Sequence, residues 1–192
     1  MGSTLFRRLL LLSGLIFPAC ASAYRPSAAS VQLRSTLDDR RAESIVASAL
    51  KRDSDGRGGI KRAQWGLTSA SPFPIEVKVT RGVIEYLVPG SPETSDAALD
   101  EGCTSVRNHL EAIEGQEAPT LCRKRLHLDD LWRVRISGAS AGMRTVAGYM
   151  VSIQESASAY IDVNITTDQL NPLIAALTYY SPNVELLEGA GF

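Results

Sequence analysis

Arg7 and Arg8 precede an apolar run from Leu9 to Phe17, Pro18 breaks that run, and Ala21-Ser22-Ala23 puts small residues where a signal peptidase reads. A basic start, a short apolar stretch and a small-residue cleavage site are the three parts of a secretory signal. No other stretch constrains the chain as much, because it sets the solvent and redox state in which the rest folds. The run is nine residues long, and a membrane-spanning helix needs about 20. Cleavage after Ala23 is therefore the expectation, with a periplasmic or secreted product. Two alternatives stay open. Cys20, in Phe17-Pro18-Ala19-Cys20, is placed for lipidation, which would tether the product to a membrane, and an uncleaved segment would act as an anchor.

Cleavage after Ala23 leaves 169 of the 192 residues and takes the formal charge from −1 to −3, because Arg7 and Arg8 go with the segment. That length suits one domain with a proper core. The expected organisation is a signal over 1–23, a disordered leader over 24–34 rich in Ser, Ala and Pro, and a single domain over 35–192. A mildly acidic chain with interspersed charges has no electrostatic reason to bind nucleic acid or anionic lipid. Three cysteines become two, Cys103 and Cys122. An even count in an exported chain predicts a disulfide, closing a loop of about twenty residues and worth ~3 kcal/mol in the chain-entropy model.

Periodicity gives an outline of the fold. Ala42, Ile45, Val46, Ala49 and Leu50 form one apolar helix face, begun after a cap at Ser35 or Thr36 with acids in the first turn. Ile75, Val77 and Val79 alternate with polar residues, and Val83 to Val88 returns after Arg81-Gly82, which predicts a β-hairpin over 75–88. Leu99, Cys103, Val106, Leu110 and Ile113 make a helical stripe, with Ser95 as cap and Gly115 as stop. Strands are expected at Leu131–Ser137 and over Tyr160–Ile165. Residues 142–155 fit both periods, and the Gly/Ser-rich entry and Ser-rich exit favour a helix. The apolar run from Leu173 to Tyr180, between two prolines, suggests a last strand. The fold class is thus α+β: an antiparallel sheet of four to five strands on two to three helices, with ferredoxin-like topology as the specific expectation and one disulfide, Cys103–Cys122.

Few sets of residues carry chemistry. Gly138-Ala139-Ser140-Ala141-Gly142 resembles the nucleophile elbow of secreted α/β-hydrolase esterases, which implies Ser140 as nucleophile. That fold places its histidine after the serine, whereas His109 and His127 both precede Ser140. Asp53-x-Asp55-x-Arg57-Gly58-x-Ile60-x-x-x-Gln64 resembles an EF-hand loop, implying calcium ligands at Asp53, Asp55 and Gln64. Arg57 stands where an oxygen ligand belongs, and Gln64 cannot give the bidentate carboxylate of the last position. Asp129-Asp130 after His127 suits a surface cap, with acid/base or metal chemistry as the alternative. No H-E-x-x-H, Walker loop or C-x-x-C occurs, and no cofactor is implied.

Two further resemblances are local. Val134-x-Ile136-Ser137-Gly138, then Val146-x-x-Tyr149-Met150-x-x-Ile153-x-x-Ser156, then Asp162-Val163-x-Ile165 resemble periplasmic domains of type IV pilus and type II secretion assembly-platform proteins, over residues 132–166. That resemblance implies a strand, a helix and a strand of a ferredoxin-like domain that pairs with other subunits. Val31-Gln32-Leu33-Arg34 followed by Asp38-Asp39-Arg40-Arg41 is similar to the host-targeting region of secreted oomycete effectors, without its first arginine. The expected function is an exported, non-catalytic interaction or assembly domain with a protein partner. A small serine hydrolase using Ser140 and a weak calcium binder through 53–64 are the alternatives.

Overall fold

The computed structural model describes residues 22–52, 57–64, 77–90, 103–105, 120–142 and 145–189. Among them, strands β1 (Ser22–Ala23), β2 (Gly59–Gln64), β7 (Arg133–Ala139), β8 (Gly148–Gln154), β9 (Tyr160–Thr166) and β10 (Glu185–Glu188) make a six-stranded sheet in the order β1-β10-β7-β8-β9-β2. Strands β3 (Val77–Thr80), β4 (Val83–Gly90), β5 (Cys103–Ser105) and β6 (Thr120–His127) make a second sheet in the order β3-β4-β6-β5. Three helices accompany them: α1 (Ala28–Arg34), α2 (Asp39–Leu50) and α3 (Thr167–Tyr180).

One continuous core joins these layers. Val134 and Ile136, Val151 and Ile153, and Ile161, Val163 and Ile165 line one face of the larger sheet, all at most 1 % exposed. They belong to the same apolar cluster as Ala42, Val46 and Ala49 of α2 and Leu173, Ile174 and Leu177 of α3. Ile84, Tyr86, Leu126 and Leu128 bring the smaller sheet into it. Alternation is what permits this, since every second side chain of a strand reaches the same face. Helix α2 starts at Asp38, whose Oδ1 accepts the Arg41 N–H at 2.8 Å. In α3 the Gln169 side chain accepts the Thr166 N–H at 3.1 Å, which satisfies one of the free donors at a helix start.

The α+β class, a hairpin from β3 to β4 and the strands near 131–137 and 160–165 are present as expected, with residues 75 and 76 of the expected hairpin outside the described residues; other expectations are corrected. The sheet is six-stranded and mixed rather than antiparallel with four to five strands, because β10 runs parallel to β7. A ferredoxin-like βαββαβ order is not met, since β7, β8 and β9 follow one another as a meander with no helix between them. The helix favoured over 142–155, also implied by the assembly-platform resemblance, is strand β8. Gly148 opens it at φ +156°, where a Cβ would overlap the Ile165 carbonyl. The strand expected at Leu173–Tyr180 is helix α3, buried along most of its length. Cys103 sits on strand β5 rather than a helical stripe, and the remaining stripe residues lie outside the described residues. The basic stretch Arg123–His127 is part of β6. Residues 28–34, expected within a disordered leader, form α1. Its Ser27 and Ser30 hydroxyls both donate to Asn171 Oδ1 of α3, at 2.8 and 3.1 Å.

Candidate functional site

The second face of the six-stranded sheet is polar. Register puts Arg135 of β7 opposite Ser152 of β8, Ser152 opposite Asp162 of β9, and Asp162 opposite Arg62 of β2. Directly opposed residues share a face, so these four make one row across four strands. Arg133, Gln154 and Tyr160 form the neighbouring row on one side, and Ser137, Met150 and Asn164 the row on the other. The same strands therefore read apolar on the helix side and polar on this side, Met150 excepted, and Ser137, Ser152, Asp162 and Asn164 are each at most 4 % exposed.

Several contacts fix the polar face. Arg62 grips Asp162 Oδ2 with Nε at 2.8 Å and a terminal nitrogen at 2.6 Å. The Asp162 side chain is only 6 % exposed, and its Oδ1 has no hydrogen-bond partner among the described residues. The Arg62 guanidinium also lies over the Tyr160 ring, 5.3 Å from its centre. Gln154 donates to Ser152 Oγ at 3.0 Å. At the far end Asn164 Oδ1 accepts the Val146 N–H at 2.6 Å, so the connection between β7 and β8 closes over the sheet there. At the near end Arg133 pairs with Glu185 at 2.6 Å and lies 4.0 Å above the ring of Trp132, an exposed tryptophan. Guanidinium over an aromatic face is a cation–π arrangement.

A second constellation lies where the two sheets meet. His127, Asp129 and Asp130 bring one donor atom each within 4.8 Å of one another. Both aspartates are exposed. The turn that carries them is held on three sides. Leu128 N–H donates to the Gly82 carbonyl at 2.8 Å, Glu155 accepts the His127 N–H at 3.3 Å, and Ser181 Oγ donates to the Leu131 carbonyl at 3.2 Å. Burial pushes the Glu155 carboxyl up, against the opposing pull of the His127 N–H. The Tyr86 hydroxyl is buried without a partner among the described residues, and burial followed by the Glu155 charge pushes its ionisation far up.

The residues singled out from sequence fare differently. Ser140 is exposed just past β7. Its carbonyl accepts the Thr145 hydroxyl at 3.1 Å, and the chain then enters β8, not the helix of a nucleophile elbow. The seven residues of β7, at about 3.3 Å each, put Ser140 roughly 20 Å from Arg133, the end at which Glu155 accepts the His127 N–H. Asp53 and Asp55 lie outside the described residues, and Gln64 ends a strand where an EF-hand would start its exit helix. Cys20 and His109 also lie outside them. Cys103 and Cys122 are Cα partners across β5 and β6. Sequence reasoning missed the polar row, although the alternation of Tyr160, Asp162 and Asn164 signals half of it. No family model, curated protein or solved structure matches the chain. Among the described residues no helix is long and apolar enough to cross a membrane.

Proposed function

We propose that this chain is an exported, non-catalytic domain that binds another protein through the exposed margin of the polar face of its six-stranded sheet, around Trp132, Arg133 and Arg62. One observation carries the reading: Arg133 lies over the ring of the exposed Trp132, and the exposed Arg62 over that of Tyr160, beside a row whose centre, Ser152 and Asp162, is itself buried. Arginine, tryptophan and tyrosine dominate the energetics of protein interfaces. Here their guanidinium groups are already held by Asp162 and Glu185, so less side-chain freedom is lost on binding. The near-neutral balance of the chain favours a protein over a nucleic acid as partner. Export adds an oxidising solvent, which suits the facing pair Cys103 and Cys122.

The hydrolase and calcium alternatives have weaker support. Ser140 stands far from His127 and is followed by a strand, and position 64 is in a strand. The test is site-specific photocrosslinking of the exported full chain in its native host. A photoreactive phenylalanine analogue is placed at position 132, at position 160, or at position 31, where Val31 is exposed on α1. A discrete protein adduct from 132 or 160, absent from 31, is the expected result. Equal adducts from all three positions, or none, would overturn the proposal. So would fluorophosphonate labelling of the purified chain that disappears in Ser140→Ala.

A further inference from the structure

We infer that Cys103 and Cys122 form a cross-strand disulfide at a non-hydrogen-bonded position of the β5–β6 ladder. Antiparallel partners alternate between pairs that exchange backbone hydrogen bonds and pairs that do not. The phase of this alternation along β6 is fixed by two contacts. Leu128 N–H donates to the Gly82 carbonyl, one step beyond the Val83↔His127 partners of the β4–β6 register. Counting back by twos along an unbroken register, Leu126, Lys124 and Cys122 also direct their backbone groups at β4. The odd-numbered residues direct theirs away from β4, and the His127 N–H accordingly meets Glu155 instead.

Cys122 therefore turns neither its N–H nor its carbonyl toward β5, and its partner there is Cys103. A non-hydrogen-bonded pair of this kind has its Cα atoms about 4.5 Å apart, the closer of the two spacings. A disulfide requires Cα atoms roughly 4.4–6.8 Å apart. Both residues share one face of the smaller sheet, as directly opposed residues must. Had the register been shifted by one residue, the two cysteines would stand diagonally, on opposite faces, and out of reach.

Closure removes two protons and two electrons from the thiols. The acceptor is the disulfide of a thiol oxidant, such as oxidised glutathione or a protein disulfide, which is reduced to two thiols. The bond clips the three-residue strand β5 onto β6. It rests on the export half of the proposed function for its oxidising compartment, and not on the binding face.

The experiment uses the full chain carrying Cys20→Ser, purified reduced and incubated with oxidised glutathione, then read by intact mass. Intramolecular closure without a glutathione adduct is the expected product, and single variants Cys103→Ser and Cys122→Ser should each retain one glutathione. Two stable glutathione adducts on the Cys20→Ser chain, or a disulfide-linked dimer, would overturn the inference. Alkylation of the exported chain in its native host separates the two readings. A chain found exported with both thiols free sinks the disulfide and leaves export standing. A chain found in the cytosol sinks export, while the glutathione result still decides the pairing.

Discussion

The Glu155 carboxylate accepts the His127 backbone N–H at 3.3 Å, so the turn after β8 in one sheet holds the end of β6 in the other. Burial raises the Glu155 carboxyl above its ordinary range. The folded state then holds this proton more tightly than the unfolded chain does, so this group's contribution to stability falls as pH rises from the ordinary carboxylate range through the raised value. Glu155→Gln keeps an acceptor for His127 and has nothing to titrate. Its urea midpoint should depend less on pH over about pH 4–7 than the parent's. An unchanged pH slope would refute the assignment.

Tyr86 carries a hydroxyl that is buried and has no partner among the described residues. Removing a polar group that has no partner lifts its desolvation cost, so Tyr86→Phe should stabilise the fold by about 1 kcal/mol. The shift in urea midpoint at neutral pH measures this, and a loss of stability would contradict it. The same substitution should flatten alkaline unfolding. The raised ionisation of Tyr86 means the unfolded chain loses this proton first as pH passes about 10, and stability falls from there.

Arg62 and Asp162 should be strongly coupled. Arg62→Leu leaves a carboxylate only 6 % exposed without its cation, at a cost of about 2 kcal/mol. Replacing both, Arg62→Leu with Asp162→Leu, should recover most of that loss, since an apolar pair leaves no buried charge. A double-mutant cycle in urea is the measurement, and additive losses would show that the pair does not act as one unit.

Gly148 should accept no other residue. Its φ of +156° is strained for any side chain, and a Cβ would run into the Ile165 carbonyl on the adjacent strand. Gly148→Ala should cost on the order of 3 kcal/mol. A melting temperature equal to the parent's would mean that β8 and β9 can separate more freely than their register implies.

The hairpin 75–88 was legible because Val77 and Val79 alternate cleanly with charged neighbours, and β9 because its alternation is equally clear. Strand β8 reads as a helix because Val146, Met150 and Ile153 satisfy the helical period, while Ala147, Tyr149, Val151 and Ile153 satisfy the strand period. Only pairing with β7 and β9 decides between them. Helix α3 was misread for the opposite reason. Leu173, Ile174, Ala175, Ala176 and Leu177 are all buried, so the helix shows no polar stripe to reveal its period. Pro172, a boundary by its chemistry, lies inside the helix. Beyond the alternation of Tyr160, Asp162 and Asn164, the polar row is not legible in the sequence. Arg62 and Asp162 are a hundred positions apart, and only topology sets them side by side.

Strand β1 sits on the outer edge of β10, with Ser22 opposite Glu188, Ala23 opposite Leu187, and the Tyr24 N–H on the Leu186 carbonyl. A peptidase cut after Ala23 would therefore do more than release the protein. It would remove the strand that closes this side of the sheet while leaving Tyr24 in place, and expose backbone groups of β10 that had been paired. Maturation would then uncover a vacant lane on the folded body, open to an extended segment from another chain.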